Sequence, residues 1–234
     1  MDTILEEQKW ELIKSLAQEL HVPIPEVWIT LEVFDKDGKL IQKHRQRGHS
    51  WTRNAYNCMF SQLAGKNVND TVFEAGKLDY KDTGGTVRSA ARCGGSYDDV
   101  DGTARGYRGP AGNDAQGILV GSGTDAESFE DYALQTKIAN GTAAGQLSYV
   151  ESEAHSITYN AGTKTFKNTL VRYFNNNSGG DISVNEVGLV GYTHFCGWSN
   201  WYVMPTRDKL ASTVTIPNTG QLKATCDISL TYPA

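Results

Sequence analysis

From Glu26 the chain alternates apolar and polar positions. Val27, Ile29, Leu31 and Val33 fall on one face, and Thr30 and Glu32 face away together with Trp28 and Phe34. Alternation of this kind predicts a half-buried β-strand. The run ends at Asp35-Lys36-Asp37-Gly38 and resumes through Lys39-Leu40-Ile41-Gln42-Lys43. Asp-Gly between two such runs predicts a hairpin. Upstream the period changes. Residues 3–20 place Leu5, Leu12, Ile13, Leu16 and Leu20 on one stripe with Trp10 near its edge. This predicts an amphipathic helix, with Glu6 and Glu7 suiting the positive end of its dipole. Val22-Pro23-Ile24-Pro25 ends it, because proline disfavours helical geometry in the residue before it.

Ser50 reads as the N-cap of a second, shorter helix. Trp51, Ala55, Cys58, Met59 and Leu63 share one face of it, and Gly65 supplies a stop. Residues 66–116 are poor in aliphatic side chains and rich in Gly, Asp and Arg. They read as extended loop with one or two short strands, an excursion of the kind that carries contacts. From Gly117 the strand pattern returns in ILVGSG (118–123), LSYVESEAHSITYN (147–160), KTFKNTLVRYFNN (164–176), ISVNEVGLVGY (182–192), NWYVMPTR (200–207), STVTI (212–216) and QLKATCDISLTY (221–232). SFEDYALQTKI (128–138) is the exception and reads as one or two helical turns. The predicted fold is mainly β, an antiparallel β-sandwich with an N-terminal helix, a hairpin and one further short helix. Three segments follow: 1–65 as helix, hairpin and helix forming an assembly element, 66–116 as the loop excursion, and 117–234 as the sandwich.

Composition narrows the function classes. No run approaches the roughly 18–20 apolar residues of a spanning helix, so no membrane partner is expected. The N-terminus carries acids where a secretory signal has basic residues. The net charge of −5 over 234 residues disfavours nucleic acid as a direct partner. The basic cluster Lys43-His44-Arg45-Gln46-Arg47 reads as a solvated strand end. Cys58, Cys93, Cys196 and Cys226 contain no CxxC unit. They are either buried free thiols or partners in disulfides formed in an oxidising medium, and His194 beside Cys196 lacks further ligands for a metal.

Motifs that carry chemistry are incomplete. Gly121-Ser122-Gly123-Thr124 lacks the Lys of a phosphate loop and is followed by Asp125. Asp98-Asp99-Val100-Asp101-Gly102 is a fragment of a calcium loop. His49-Ser50 has no nucleophile elbow. Glu127, Glu130 and Asp131 read as the solvated side of a turn rather than as paired glycosidase acids. No catalytic residue, cofactor or metal site is expected, and the chain is read as not an enzyme. Trp198, Trp201 and Tyr202 form an aromatic cluster suited to a partner, receptor or sugar surface. Trp10 on the first helix is a further candidate interface residue.

Three segments resemble a recurrent arrangement in structural proteins of tailed bacteriophages: GILVGSGTDAESFEDYALQTKI, LVRYFNNNSGGDISVNEVGLVGY and MPTRDKLASTVTIPNTGQLKATCDISLTYP. The shared pattern is a strand with GxGT and DYAL, a strand with EVGL, and an RD turn into closing strands. GHSWTRNAYNCMFSQL also resembles an N-terminal piece found with them. The resemblance covers about 48–65 and 117–234. It implies a virion component (head decoration, neck or tail protein, or fibre base) assembled in the host cytoplasm as a homo-oligomer with other virion proteins. In that pattern Gly121 and Gly123 turn the chain, Tyr132 and Leu134 tuck against the sheet, and Arg207 and Asp208 pair at the turn. The alternative is a carbohydrate- or receptor-binding β-sandwich module that takes a host surface glycan.

Overall fold

The structure, a computed structural model, describes residues 3–64, 79–88, 93–94, 106–195 and 199–233, with side chains over 7–61, 79–88, 106–193 and 201–233. Its elements run α1 (Thr3–Glu19), β1 (Pro25–Phe34), β2 (Leu40–Gly48), α2 (Arg53–Ala64), β3 (Tyr80–Lys81), β4 (Val87–Arg88) and β5 (Cys93–Gly94). They continue with β6 (Gly117–Gly121), β7 (Ser148–Tyr149), β8 (Ser156–Asn160), β9 (Thr165–Asn175), β10 (Ile182–Phe195), β11 (Ser199–Ile216) and β12 (Gln221–Thr231). The first sheet has the order β2-β1-β12-β9, with β7 and β8 both on the far edge of β9. The second pairs β11 with β10, whose other edge takes β6 and β5. Every pairing between these strands is antiparallel. The fold is therefore mainly β and sandwich-like, with the N-terminal helix, the hairpin and the second helix that the pattern predicts.

The core follows from the alternation. Val27, Ile29, Leu31 and Val33 of β1 are buried, as are Leu222, Ala224 and Cys226 of β12 and Leu170 and Phe174 of β9. Val184, Val187 and Leu189 of β10 and Val214 and Ile216 of β11 meet them from the second sheet. A register shift between Val184 and Glu186 explains why the inward residues of β10 are not all two apart. β6 is buried along its whole length because the 122–138 segment covers its outer side. This accounts for its continuous apolar run. Leu134 packs so closely on β10 that a Cβ at Gly188 would lie 2.9 Å from Leu134 Cδ2.

One side of the sandwich is closed by glutamine side chains. Gln42 Nε2 donates to the Thr213 carbonyl at 3.1 Å, and its Oε1 accepts the Thr215 N–H at 3.0 Å. Gln46 repeats the arrangement with Lys209 and Ala211, both at 2.9 Å. Two side-chain amides thus take the place of backbone groups and join the edge strands β2 and β11. The charged face of β2 guards the same edge.

Four local expectations change. The hairpin does not stand apart in a 1–65 unit: β1 pairs with β12 along its whole length, so the sheet is built from both ends of the chain. Residues 199–216 form one long strand where two were expected. The 128–138 segment is irregular rather than helical, because Glu186 takes the N–H groups of Gln135 and Thr136 that a helix would spend on its own carbonyls. The second helix starts at Arg53 rather than after a Ser50 cap. Asp208 accepts from the amides of His49 and Ser50, and Thr52 donates to the Pro205 carbonyl, which keeps 49–52 extended along β11.

Candidate functional site

The GxGT and DYAL, EVGL and RD segments converge on one buried polar cluster. Glu186 is fully buried on β10. Its Oε1 accepts the N–H groups of Gly123 at 3.2 Å and Thr136 at 2.8 Å, and its Oε2 accepts that of Gln135 at 3.0 Å. Arg207 of β11 donates from Nε to Glu186 Oε2 and from Nη1 to Asp131 Oδ2, each at 2.8 Å. Its remaining donors reach the carbonyls of Asp125 and Ala126. Burial opposes the charge on Arg207, but its hydrogen bonds to Asp131 and Glu186, and their negative charge, prevail and hold its pKa above the ordinary arginine value. Gly123 leaves room for this carboxylate: a Cβ there would lie 2.6 Å from Glu186 Oε1. Neither Gly121 nor Gly123 has a positive φ, so space and not a tight turn explains them.

Arg207 and Asp208 do not pair with each other. They alternate to opposite sides of β11, and Asp208 meets the 48–50 corner. There His49, Glu127 and Asp208 bring a ring nitrogen and two carboxylate oxygens within 4.8 Å of one another. The oxygens are already in use. Asp208 Oδ1 accepts the His49 N–H at 2.8 Å and the Ser50 N–H at 3.3 Å, and Glu127 Oε1 accepts the Lys209 N–H at 2.8 Å. The arrangement reads as a capped chain crossing. Burial raises the Asp208 carboxyl above its usual range. Sequence reasoning missed this trio because its members lie far apart in the chain. Glu130 pairs with Arg53, so the three acids of the 127–131 segment are taken up one by one.

A second buried charge organises the end of the 66–116 segment. Arg172 of β9 is fully buried and donates to five carbonyls: Val150, Gln116, Ile118, Pro110 and Asn113. Its guanidinium also lies 4.8 Å from the Tyr149 ring centroid. Burial lowers its pKa to about 10, partly offset by Tyr149 and Asp114. In LVRYF the period of two places Arg172 on the face of Leu170 and Phe174, but Val171 and Tyr173 give the opposite face an equally apolar pattern.

The aromatic candidates separate. Trp198 lies outside the described residues, as do Cys196 and the acids of 98–101. Trp201 is half-buried beside Tyr80 and Val203, with Arg88 5.2 Å from its ring. Tyr202 stacks on Tyr192 at 4.7 Å and packs against the core. Trp10 faces the first sheet under the Arg47 guanidinium, at 4.7 Å. On its other side Arg47 lies over Trp28, as does Arg45. The basic cluster of β2 is thus spent on aromatic faces and on Glu7, Glu26 and Glu32.

What the structure leaves uncovered is apolar. Leu12, Ile13, Leu16 and Leu20 of the α1 region are exposed, and so are Ile157, Tyr159, Phe166, Leu230 and Tyr232 at one end of the first sheet. Compared with family models, curated proteins and solved structures, the chain gives no match.

Proposed function

We propose that the chain is a structural component of a bacteriophage virion, a head-decoration, neck or tail, or fibre-base protein that works by assembly and not by catalysis. The observation that carries this reading is the use made of the phage-like motif. Gly123, Asp131, Glu186 and Arg207 spend their space and hydrogen bonds on one another. A motif committed in this way is scaffolding. The exposed apolar surfaces on α1 and on the first sheet suit contacts with other copies and other virion proteins. No helix among the described residues is long and apolar enough to cross a membrane.

The glycan-binding reading has less support, since Trp201 and Tyr202 pack against neighbouring side chains instead of presenting open faces. Mass spectrometry of purified particles made from the genome that encodes this chain tests the proposal. The chain is expected at a fixed copy number per particle. Its absence from particles would overturn the reading.

A further inference from the structure

The inward face of the first sheet runs past the second sheet. Leu170, Cys226 and Ile29 form a buried row across β9, β12 and β1. The next row on the same face is Ile157, Asn168 and Ile228, and the row beyond is Tyr159, Phe166 and Leu230. Directly opposed residues share a face; Ile228 still packs partly against the core, and beyond it this face is core surface without a cover. Ile157, Tyr159, Phe166, Leu230 and Tyr232 are 70%, 55%, 59%, 44% and 64% exposed. At ~150–250 Å² per large aromatic side chain, the patch offers on the order of 500 Å².

The same end of the molecule carries a second uncovered surface. α1 lies on the outer face of the first sheet, where Glu26, Ser229 and Thr231 offer no apolar partner. It is held there by Trp10 and by Glu7, which is 2.6 Å from Arg47. The indole Nε1 of Trp10 is buried without a hydrogen-bond partner, so even this seat is imperfect. Leu12, Ile13, Leu16 and Leu20 face away, 61%, 45%, 47% and 69% exposed. From Leu12 to Leu20 the stripe is about 12 Å long, and three strands of the overhang span about 10 Å. Glu19 borders the stripe and Lys164 borders the overhang, beside Tyr232.

We infer that the apolar stripe of α1 in one copy packs on the sheet overhang of a second copy, joining copies head to tail. The inference rests on the homo-oligomer part of the proposed function. A helix stripe laid on an apolar sheet face is the layer arrangement that both surfaces lack. Together they would bury roughly 1,000 Å², close to the lower bound for a specific contact. The same chain's α1 cannot fill the role while Glu7 and Trp10 hold it on the opposite face. A contact between two different surfaces repeats, and it closes into a ring or grows as a filament according to the rotation at each step.

Sedimentation and light scattering of the full chain test this. The wild type is expected to exceed its 25.6 kDa monomer mass in a concentration-dependent way. Leu12→Glu with Leu16→Glu on the stripe, or Tyr159→Lys with Phe166→Glu on the overhang, is expected to weaken association by roughly tenfold or more. These positions are exposed, so thermal unfolding should be little changed; Leu20→Glu and Ile157→Lys serve as second variants. Mixing a stripe variant with an overhang variant restores one intact contact and should give a 1:1 dimer. A wild type that stays monomeric overturns the inference. So does an oligomer indifferent to both sets, or one abolished by overhang variants alone with no recovery on mixing, the signature of β8 pairing with β8. An oligomer that survives all variants leaves the virion reading standing. Absence from particles with the contact intact leaves the contact standing.

Discussion

Glu186 Oε2 accepts from Arg207 Nε at 2.8 Å with both side chains buried, and the 121–136 segment folds around this pair. Removing the carboxylate leaves Arg207 Nε and three backbone N–H groups without their acceptor at once. Breaking a buried pair from one side costs about 3–5 kcal/mol. Glu186→Ala is therefore expected to lower the unfolding free energy by about that much, read from urea denaturation. Glu186→Gln keeps an acceptor and should lose less. Equal losses for the two variants would show that the charge, and not the acceptor geometry, holds the segment.

Arg172 presents a buried charge whose hydrogen-bond acceptors in the structure are carbonyl oxygens. Lysine offers three donors from one nitrogen in place of a planar fork of five, so it cannot serve carbonyls on both sides of the 110–118 turn. Arg172→Lys is expected to cost ~2–4 kcal/mol, or roughly 5–15 °C in Tm for a chain of this size. Arg172→Met removes the charge but leaves the carbonyls of Pro110, Gln116 and Asn113 without this donor, and should cost at least as much. A thermal midpoint unchanged in Arg172→Lys would refute the claim that this fork of donors organises the 110–118 turn.

These two arginines show how far the sequence could be read. The strands were legible because burial on one face writes a period of two into Val27–Val33 and Leu222–Cys226. The polar interior was not, because Glu186 and Arg207 occupy positions indistinguishable by period from solvent-facing ones. Their partners outside the pair come from 50 to 82 residues away in the chain. α2 shows the same limit inverted. Its inward face is Asn54, Asn57 and Ser61, which bond Lys81, Asp79 and Tyr80, while Met59 and Phe60 face out. Apolar periodicity placed a helix there but not its polar inward face: of the predicted stripe Cys58 packs beside Tyr80 and Val203, and Met59 is exposed. The exposed stripe of α1 follows a similar course: its amphipathic pattern is real, but the surface beneath it is polar.

Cys226 lies in the core between Leu170 and Ile29, and burial pushes its thiol up to about 12. The nucleophile is the thiolate, so little reactive form exists at neutral pH and none of it is accessible. Brief alkylation of the native protein at pH 7.5, followed by peptide mapping, should leave Cys226 unmodified. Alkylation in denaturant should label it fully. Rapid native labelling would mean that the β9–β12–β1 row opens on the time scale of the reaction.

Asp208 is held above the usual carboxyl range chiefly by burial, with Glu127 adding to it and the amides of His49 and Ser50 and the His49 ring acting against it. The folded chain therefore binds this proton more tightly than the unfolded chain does. Its contribution to stability is complete below the unfolded value near 3.8 and falls away as pH rises through the folded one. Asparagine has the same Oδ1 acceptor for both amides and no proton to lose. Asp208→Asn should therefore match the wild type near pH 4 and gain on it steadily toward pH 7, measured as urea midpoints across that range. Repeating the series in a His49→Ala background removes a ring that acts against this rise, and the gain should grow. A constant difference between the two proteins at every pH would mean that the capped crossing holds the carboxylate without penalty.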